Sequence, residues 1–114
     1  MRVIERKMLQ AIHSVQNFKC DNTEVVAVNF LHGGLQRCTV LLHGSPIATV
    51  TDTTLEVSDC GWQTPTTKSR LNVLLHEFSP GWGIYQKNKI WYLSGPTGET
   101  ELEPEAKTVV ERLR

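Results

Sequence analysis

The sequence has no net charge, no long apolar run and only three cysteines, and each shortage excludes a class of protein. Twelve lysines and arginines balance twelve aspartates and glutamates, so no global field drives the molecule onto DNA, anionic lipid or an acidic substrate. No stretch approaches the ~20 apolar residues of a membrane-spanning helix. The amino terminus also lacks the apolar core of a secretory signal, about 7 to 15 residues long. The expectation is a soluble protein, retained inside the cell, with no membrane partner. Cys20, Cys38 and Cys60 are odd in number and form no C-x-x-C pair, which fits a reducing compartment with packed thiols and no disulfide. With 8 Gly and 5 Pro the chain is neither collagen-like nor of low complexity.

What is present suits one compact domain. The 114 residues, 39% of them hydrophobic, are enough for a core that needs no disulfide, metal or cofactor to hold it. Cutting the chain after Gly95 leaves nine basic and seven acidic residues before the cut and three and five after it. The reading is therefore an α+β domain over residues 1–95, with an acidic linker and a carboxy-terminal amphipathic helix over 96–114.

Ile4, Met8, Ala11, Ile12 and Val15 recur at helical spacing, with Arg2, Glu5, Arg6, Lys7, Gln10 and His13 around the rest of the circumference, predicting a helix over 1–16. Four short strands follow, at 25–31, 37–43, 47–51 and 55–58, separated by Gly33-Gly34, Gly44-Ser45-Pro46 and Asp52-Thr53. Two-residue loops would pair Phe30 with Arg37 and Val40 with Thr49. That register puts Cys38, Val40, Leu42 and Ile47 on one side and Leu41, Ala48 and Val50 on the other. With neither side cleanly polar, helices cover the sheet on both faces, or it bends strongly into a small SH3-like or Sm-like barrel. Thr64-Pro65-Thr66-Thr67 then opens a central helix carrying Leu71, Leu74, Leu75 and Phe78, which Ser79-Pro80-Gly81 stops. A β-hairpin at 83–86 and 90–93 surrounds Lys87-Asn88-Lys89. Pro104 opens the short last helix, with Ala106, Val109, Val110 and Leu113 on one stripe. The predicted order is α-β-β-β-β-α-β-β-α.

Two groups of residues suggest a binding surface. Lys68 and Arg70 follow the start of the central helix, where cations are mildly unfavourable unless an anion is held there by Thr66, Thr67 and Ser69. The plainer reading is that the hydroxyls cap the helix and the cations reach into water. The hairpin interleaves Trp82, Tyr85, Trp91 and Tyr92 with Lys87 and Lys89, a mixture that holds single-stranded nucleic acid by stacking and charge. The plainer reading is that at least one aromatic pair belongs to the core, and aromatics also anchor protein contacts.

Catalytic and metal patterns are missing. His13, His32, His43 and His76 and the three cysteines show no zinc-ligand spacing. Lys68 has no Walker glycines before it, and no Ser sits in a nucleophile elbow. Cys60 reads as a structural thiol. Glu99, Glu101, Glu103 and Glu105 read as a solvated acidic segment. No metal, cofactor or enzymatic activity is expected.

The segment Cys60-Gly61-Trp62-Gln63-Thr64-Pro65-Thr66-Thr67-Lys68-Ser69-Arg70-Leu71-Asn72, with Leu74-Leu75 after it, resembles a family of small proteins of marine T7-like phages, cyanophages included. Tyr85-Gln86-Lys87-Asn88 with Trp91-Tyr92, Asn22-Thr23-Glu24-Val25 and Leu42-His43-Gly44 extend the resemblance over about residues 1–95. It implies a phage origin and a place in the cytoplasm of an infected bacterium, and it carries over no reaction and no catalytic residue. The functional expectation is a non-enzymatic accessory protein that binds nucleic acid through its basic and aromatic surface. The alternative is a module that binds a host or phage protein or assembles with itself.

Overall fold

The computed structural model describes residues 1–29 and 36–113. Among these, the helices are α1 (Val3–Ser14) and α2 (Pro65–Phe78). The strands are β1 (Phe18–Cys20), β2 (Thr23–Asn29), β3 (Gln36–Leu42), β4 (Ser45–Val50), β5 (Thr54–Val57), β6 (Gly83–Lys87), β7 (Ile90–Gly95), β8 (Gly98–Glu101) and β9 (Thr108–Glu111). One antiparallel sheet has the order β1-β2-β3-β4-β5-β9, and a second, smaller one runs β6-β7-β8. The fold is α+β, as the sequence predicts.

Helix α2 follows its sequence signals closely. The Thr64 hydroxyl accepts the Thr67 amide at 3.1 Å and Pro65 takes the first helical position, where a missing N–H costs nothing. Leu71, Leu74, Leu75 and Phe78 are fully buried, each contributing roughly 1.5 to 3 kcal/mol of transfer free energy. At the far end the Ser79 hydroxyl donates to the carbonyl of Glu111 in β9 at 2.8 Å. Helix α1 departs from its expected stripe at one place. Ile4 is only half-buried, whereas Glu5, assigned to the polar side, is 1% exposed. Its partner Arg70 explains the difference and is described below.

The large sheet buries one face under both helices, α1 over β1 and β2, α2 over β4 and β5. Directly opposed pairs share that face: Cys38 with Val50, Val50 with Leu55, and Leu55 with Val110. The register differs from the expected one by two residues between β2 and β3 and by one between β3 and β4. Arg37 pairs with Val28, and Val40 with Ala48 and not Thr49, so Ala48 and Val50 lie on the same side as Cys38 and Val40. The reversal falls at His43-Gly44 (φ 50° and 80°), one residue before the predicted turn, and a bulge between Val40 and Leu41 restores the burial of Ile47 and Ala48 together. Gly33-Gly34 and Phe30 lie outside the described residues.

Three further expectations are corrected. The four-stranded meander is extended by β1 at one edge and by β9 at the other. The sheet does not close into an SH3-like or Sm-like barrel, because α1 and α2 bury the apolar face that closure would otherwise remove from water. Residues 104–113 form no helix. Val110 is buried while its neighbour Val109 is 57% exposed, the two-residue period of a strand, and four pairs from Thr54↔Glu111 to Val57↔Thr108 bind β9 to β5. Helix formation over so few residues is marginal, and β-branched valines favour the open strand edge that β5 offers. The hairpin forms as predicted, turning at Asn88-Lys89 with both φ positive, and Gly98–Glu101 adds a third strand to it.

Candidate ligand-binding cleft

Between β5 and α2 the chain makes a tight turn whose centre is Cys60-Gly61. Both residues are left-handed, with φ of 54° and 85°, and the Trp62 amide closes the turn on the Asp59 carbonyl at 2.9 Å. A non-glycine residue in that region costs of order 1–3 kcal/mol. Asp59, fully buried, supplies the compensation. Its Oδ1 accepts the amides of Gly61 at 2.7 Å and of Glu105 at 2.8 Å, and its Oδ2 accepts Gln63 Nε2 at 2.9 Å. Cys60 adds two anchors, its amide to Ser58 Oγ and its thiol to the carbonyl of Pro46, both at 3.1 Å. The left-handed backbone at Gly61 favours glycine, and a Cβ there would also stand 3.1 Å from Oε1 of the exposed Glu105 side chain. The product of this clamp is Trp62, held on a rigid turn with 66% of its surface exposed.

Trp62 walls a cleft of about 490 Å³. Buried Leu42 and Ile47 line it from β3 and β4, Thr64, Thr66 and Thr67 from the start of α2, and His43 and Ser45 from the β3–β4 turn. Thr64 and Thr67 are occupied with each other, their hydroxyls 2.9 Å apart. The hydroxyls of Ser45 and Thr66 have no partner among the described residues and remain available to a ligand. Asp59 is the lining carboxylate, with both oxygens already in use, and among the described lining residues there is no lysine or arginine. His43 and Ser45 both line the cleft and make no hydrogen bond to each other. What the lining offers a ligand is an indole face with hydroxyls and the His43 imidazole beside it.

The ten residues singled out from the sequence do not form one surface. Arg70 is 2% exposed and bonded through Nη1 to Glu5 Oε2 at 2.9 Å and through Nε to Thr23 Oγ1 at 3.1 Å. Ser69 donates to the same Glu5 oxygen at 2.6 Å. Burial pushes the Glu5 carboxyl up, but the bonds from Ser69, the Arg2 amide and Arg70, with the charge of Arg70, outweigh it and hold the group below its ordinary value. Arg70 and Ser69 therefore join α2 to α1 and β2. Lys68 lies 6.0 Å from the ring centre of Trp91, itself buried, and Thr67 is buried beneath its cap. Thr66 alone of this helix group reaches the Trp62 cleft with a free hydroxyl.

The hairpin residues face two ways, as strand alternation predicts. Trp91 and Leu93 point to the core, while Tyr85 stacks on Tyr92 at 5.4 Å on the outer face, with exposed Lys87 on the same strand and Lys89 at the turn. Glu101 pairs with Tyr92 on that face, and Glu99 hydrogen-bonds Tyr85 and, with burial and its own charge, pushes the phenol up to about 12. Trp82 is packed partly against the core and over Gly95.

Residues 1–109 match the family model described as Kyanoviridae Gp96 protein. The chain belongs to that family. No curated protein and no solved structure matches it. Membership agrees with the cyanophage resemblance of residues 60–72, and the matched span covers the whole Trp62 cleft. Among the described residues of this Gp96-family chain, no helix is long and apolar enough to cross a membrane. Nor do three or more His, Cys, Asp or Glu side chains gather there in a group able to hold a metal. Sequence reasoning passed over Asp59 and Trp62 as site residues. The available signal was an Asp-Cys-Gly turn followed by a tryptophan that belongs to no apolar period.

Proposed function

We propose that this protein is a non-enzymatic binding module, acting within the infected bacterium, which takes its ligand in the cleft walled by Trp62. The observation that carries this is the exposed indole held on a strained turn by a buried aspartate. A tryptophan left in water forfeits several kcal/mol of burial on the scale of about 25 cal/mol per Å², and strain kept beside it is characteristic of binding positions. Fixing the turn in advance lowers the ordering cost of association. The reading is tested by thermal shift across panels of oligosaccharides, nucleotides and peptides, with Trp62→Ala as the control. A ligand of this cleft raises the melting temperature of the natural chain and leaves that of Trp62→Ala unmoved. Equal responses of the two chains to every compound would refute it.

A second reading, docking on a protein or on another copy, is favoured by the outer face of the small sheet, where Tyr85 stacks on Tyr92 near exposed Ile90. Nucleic acid is a weaker partner for that face, because Glu99 and Glu101 lie beside the tyrosines and offset Lys87 and Lys89. Sizing of the natural chain against Tyr92→Asp, with single-stranded DNA and RNA titrated at two salt concentrations, separates these partners.

A further inference from the structure

We infer that the ligand class of the Trp62 cleft is an uncharged glycan, a chain of neutral pyranose rings; this rests on reading the cleft as the binding site. Three features of the lining select it. The indole of Trp62 offers a flat apolar surface, 66% exposed, and the axial C–H face of a pyranose is a flat apolar surface of matching width. The polar groups left without a partner among the described residues beside it are the hydroxyls of Ser45 and Thr66 and the imidazole of His43, a pair of rotors and a ring that can each serve a sugar hydroxyl. A hydroxyl rotor both donates and accepts, as does every hydroxyl of a sugar, so the two sets satisfy one another without a fixed donor pattern. A nucleobase edge, by contrast, calls for amide or guanidinium partners in a set order.

Charge disfavours the main competitors. A nucleotide phosphate, a sulfated sugar or an acidic peptide would meet no permanent cation, because the described lining residues include the His43 imidazole but neither lysine nor arginine, and Arg70 is turned away into its pair with Glu5. A basic ligand would meet only Asp59, whose oxygens are already held by Gly61, Gln63 and Glu105. At about 490 Å³ the cleft takes a short segment of a chain and not a whole macromolecule. Sugar binding also requires a wall that does not move, since each ring offers little apolar area. The Asp59 clamp supplies that.

The experiment is a nuclear magnetic resonance titration of the isotope-labelled full chain, following the indole N–H of Trp62, with buried Trp91 as internal control. The probes are maltohexaose, cellohexaose and chitohexaose, with AMP and an uncharged apolar hexapeptide for contrast. At least one oligosaccharide is expected to shift Trp62 and leave Trp91 unmoved, with the same Kd at low and high salt. Trp62→Ala is expected to weaken that binding at least tenfold, Trp62→Phe to restore part of it, and joint replacement of Ser45 and Thr66 by alanine to weaken it several-fold. If AMP or the peptide shifts Trp62 and no oligosaccharide does, the glycan assignment falls and the cleft stands. If no probe moves Trp62, both fall.

Discussion

The side-chain amide of Asn72 pairs with both backbone groups of Ile84. Its Nδ2 donates to the Ile84 carbonyl at 2.9 Å and its Oδ1 accepts the Ile84 amide at 2.7 Å, so one helical side chain takes the place of a neighbouring strand. These two bonds tie the three-stranded sheet to α2, the helix that the large sheet also packs against. Asn72→Ala leaves the backbone of buried Ile84 unpaired and is expected to cost roughly 1 to 3 kcal/mol. Denaturant unfolding measures the loss, and amide exchange should show it concentrated in β6. Unchanged protection of the Ile84 amide would contradict this role.

Glu5 and Arg70 meet at 2.9 Å with both side chains almost wholly buried. Removing one partner strands a charge, so Arg70→Ala is expected to cost about 3 to 5 kcal/mol, whereas the double change Glu5→Gln with Arg70→Met should recover much of that. Glu5 is held below its ordinary 4.5 in the folded chain. Its contribution is therefore complete above that pH and fades as the pH falls through the lower folded value, because the unfolded chain binds the proton first. Stability of the natural chain should decline on acidification in that window, and Glu5→Gln should flatten this part of the curve. Parallel acid limbs for the two chains would show that the pair does not govern acid stability.

Trp82 lies over Gly95 so closely that a methyl group there would overlap the indole ring. Gly95→Ala should displace Trp82 into water, lowering stability by about 1 to 3 kcal/mol as overpacking does. Tryptophan emission should shift to the red. Trp82→Ala in the same background relieves the overlap, so adding the methyl to that variant should cost much less.

Tyr85 and Glu99 join β6 to β8 across Tyr92. Ultraviolet titration of the two tyrosines should show one phenol ionising at about 12, lowered toward the ordinary 10 by Glu99→Gln. Because the folded value is the higher one, the stability linked to this group is present below pH 10 and declines as the pH rises through the folded value. Coincident titration curves for Glu99→Gln and the natural chain would remove Glu99 as the cause.

The amino-acid sequence alone settled the elements whose signals lie within a few residues of one another. Thr64 and Pro65 start α2, Leu71, Leu74, Leu75 and Phe78 give its buried stripe, and Ser79-Pro80-Gly81 ends it. Asn88-Lys89 turns the hairpin, and alternation separates Trp91 from Tyr92, though packing alone decided that Trp91 is the one turned inward. The tail and the site were decided elsewhere. Val109 and Val110 satisfy a helical stripe as well as a strand, and the free edge of β5 made the choice. Arg70 resembles an anion ligand until Glu5, far off in the chain, turns up beside it, and Trp62 becomes a wall only when β3, β4 and the start of α2 close around it. Caps, turns and hydrophobic periods act over a turn or two of chain and can be read locally. A buried charge pair, a strand edge and a cleft are contacts between distant segments, and they exist only once packing has brought those segments together.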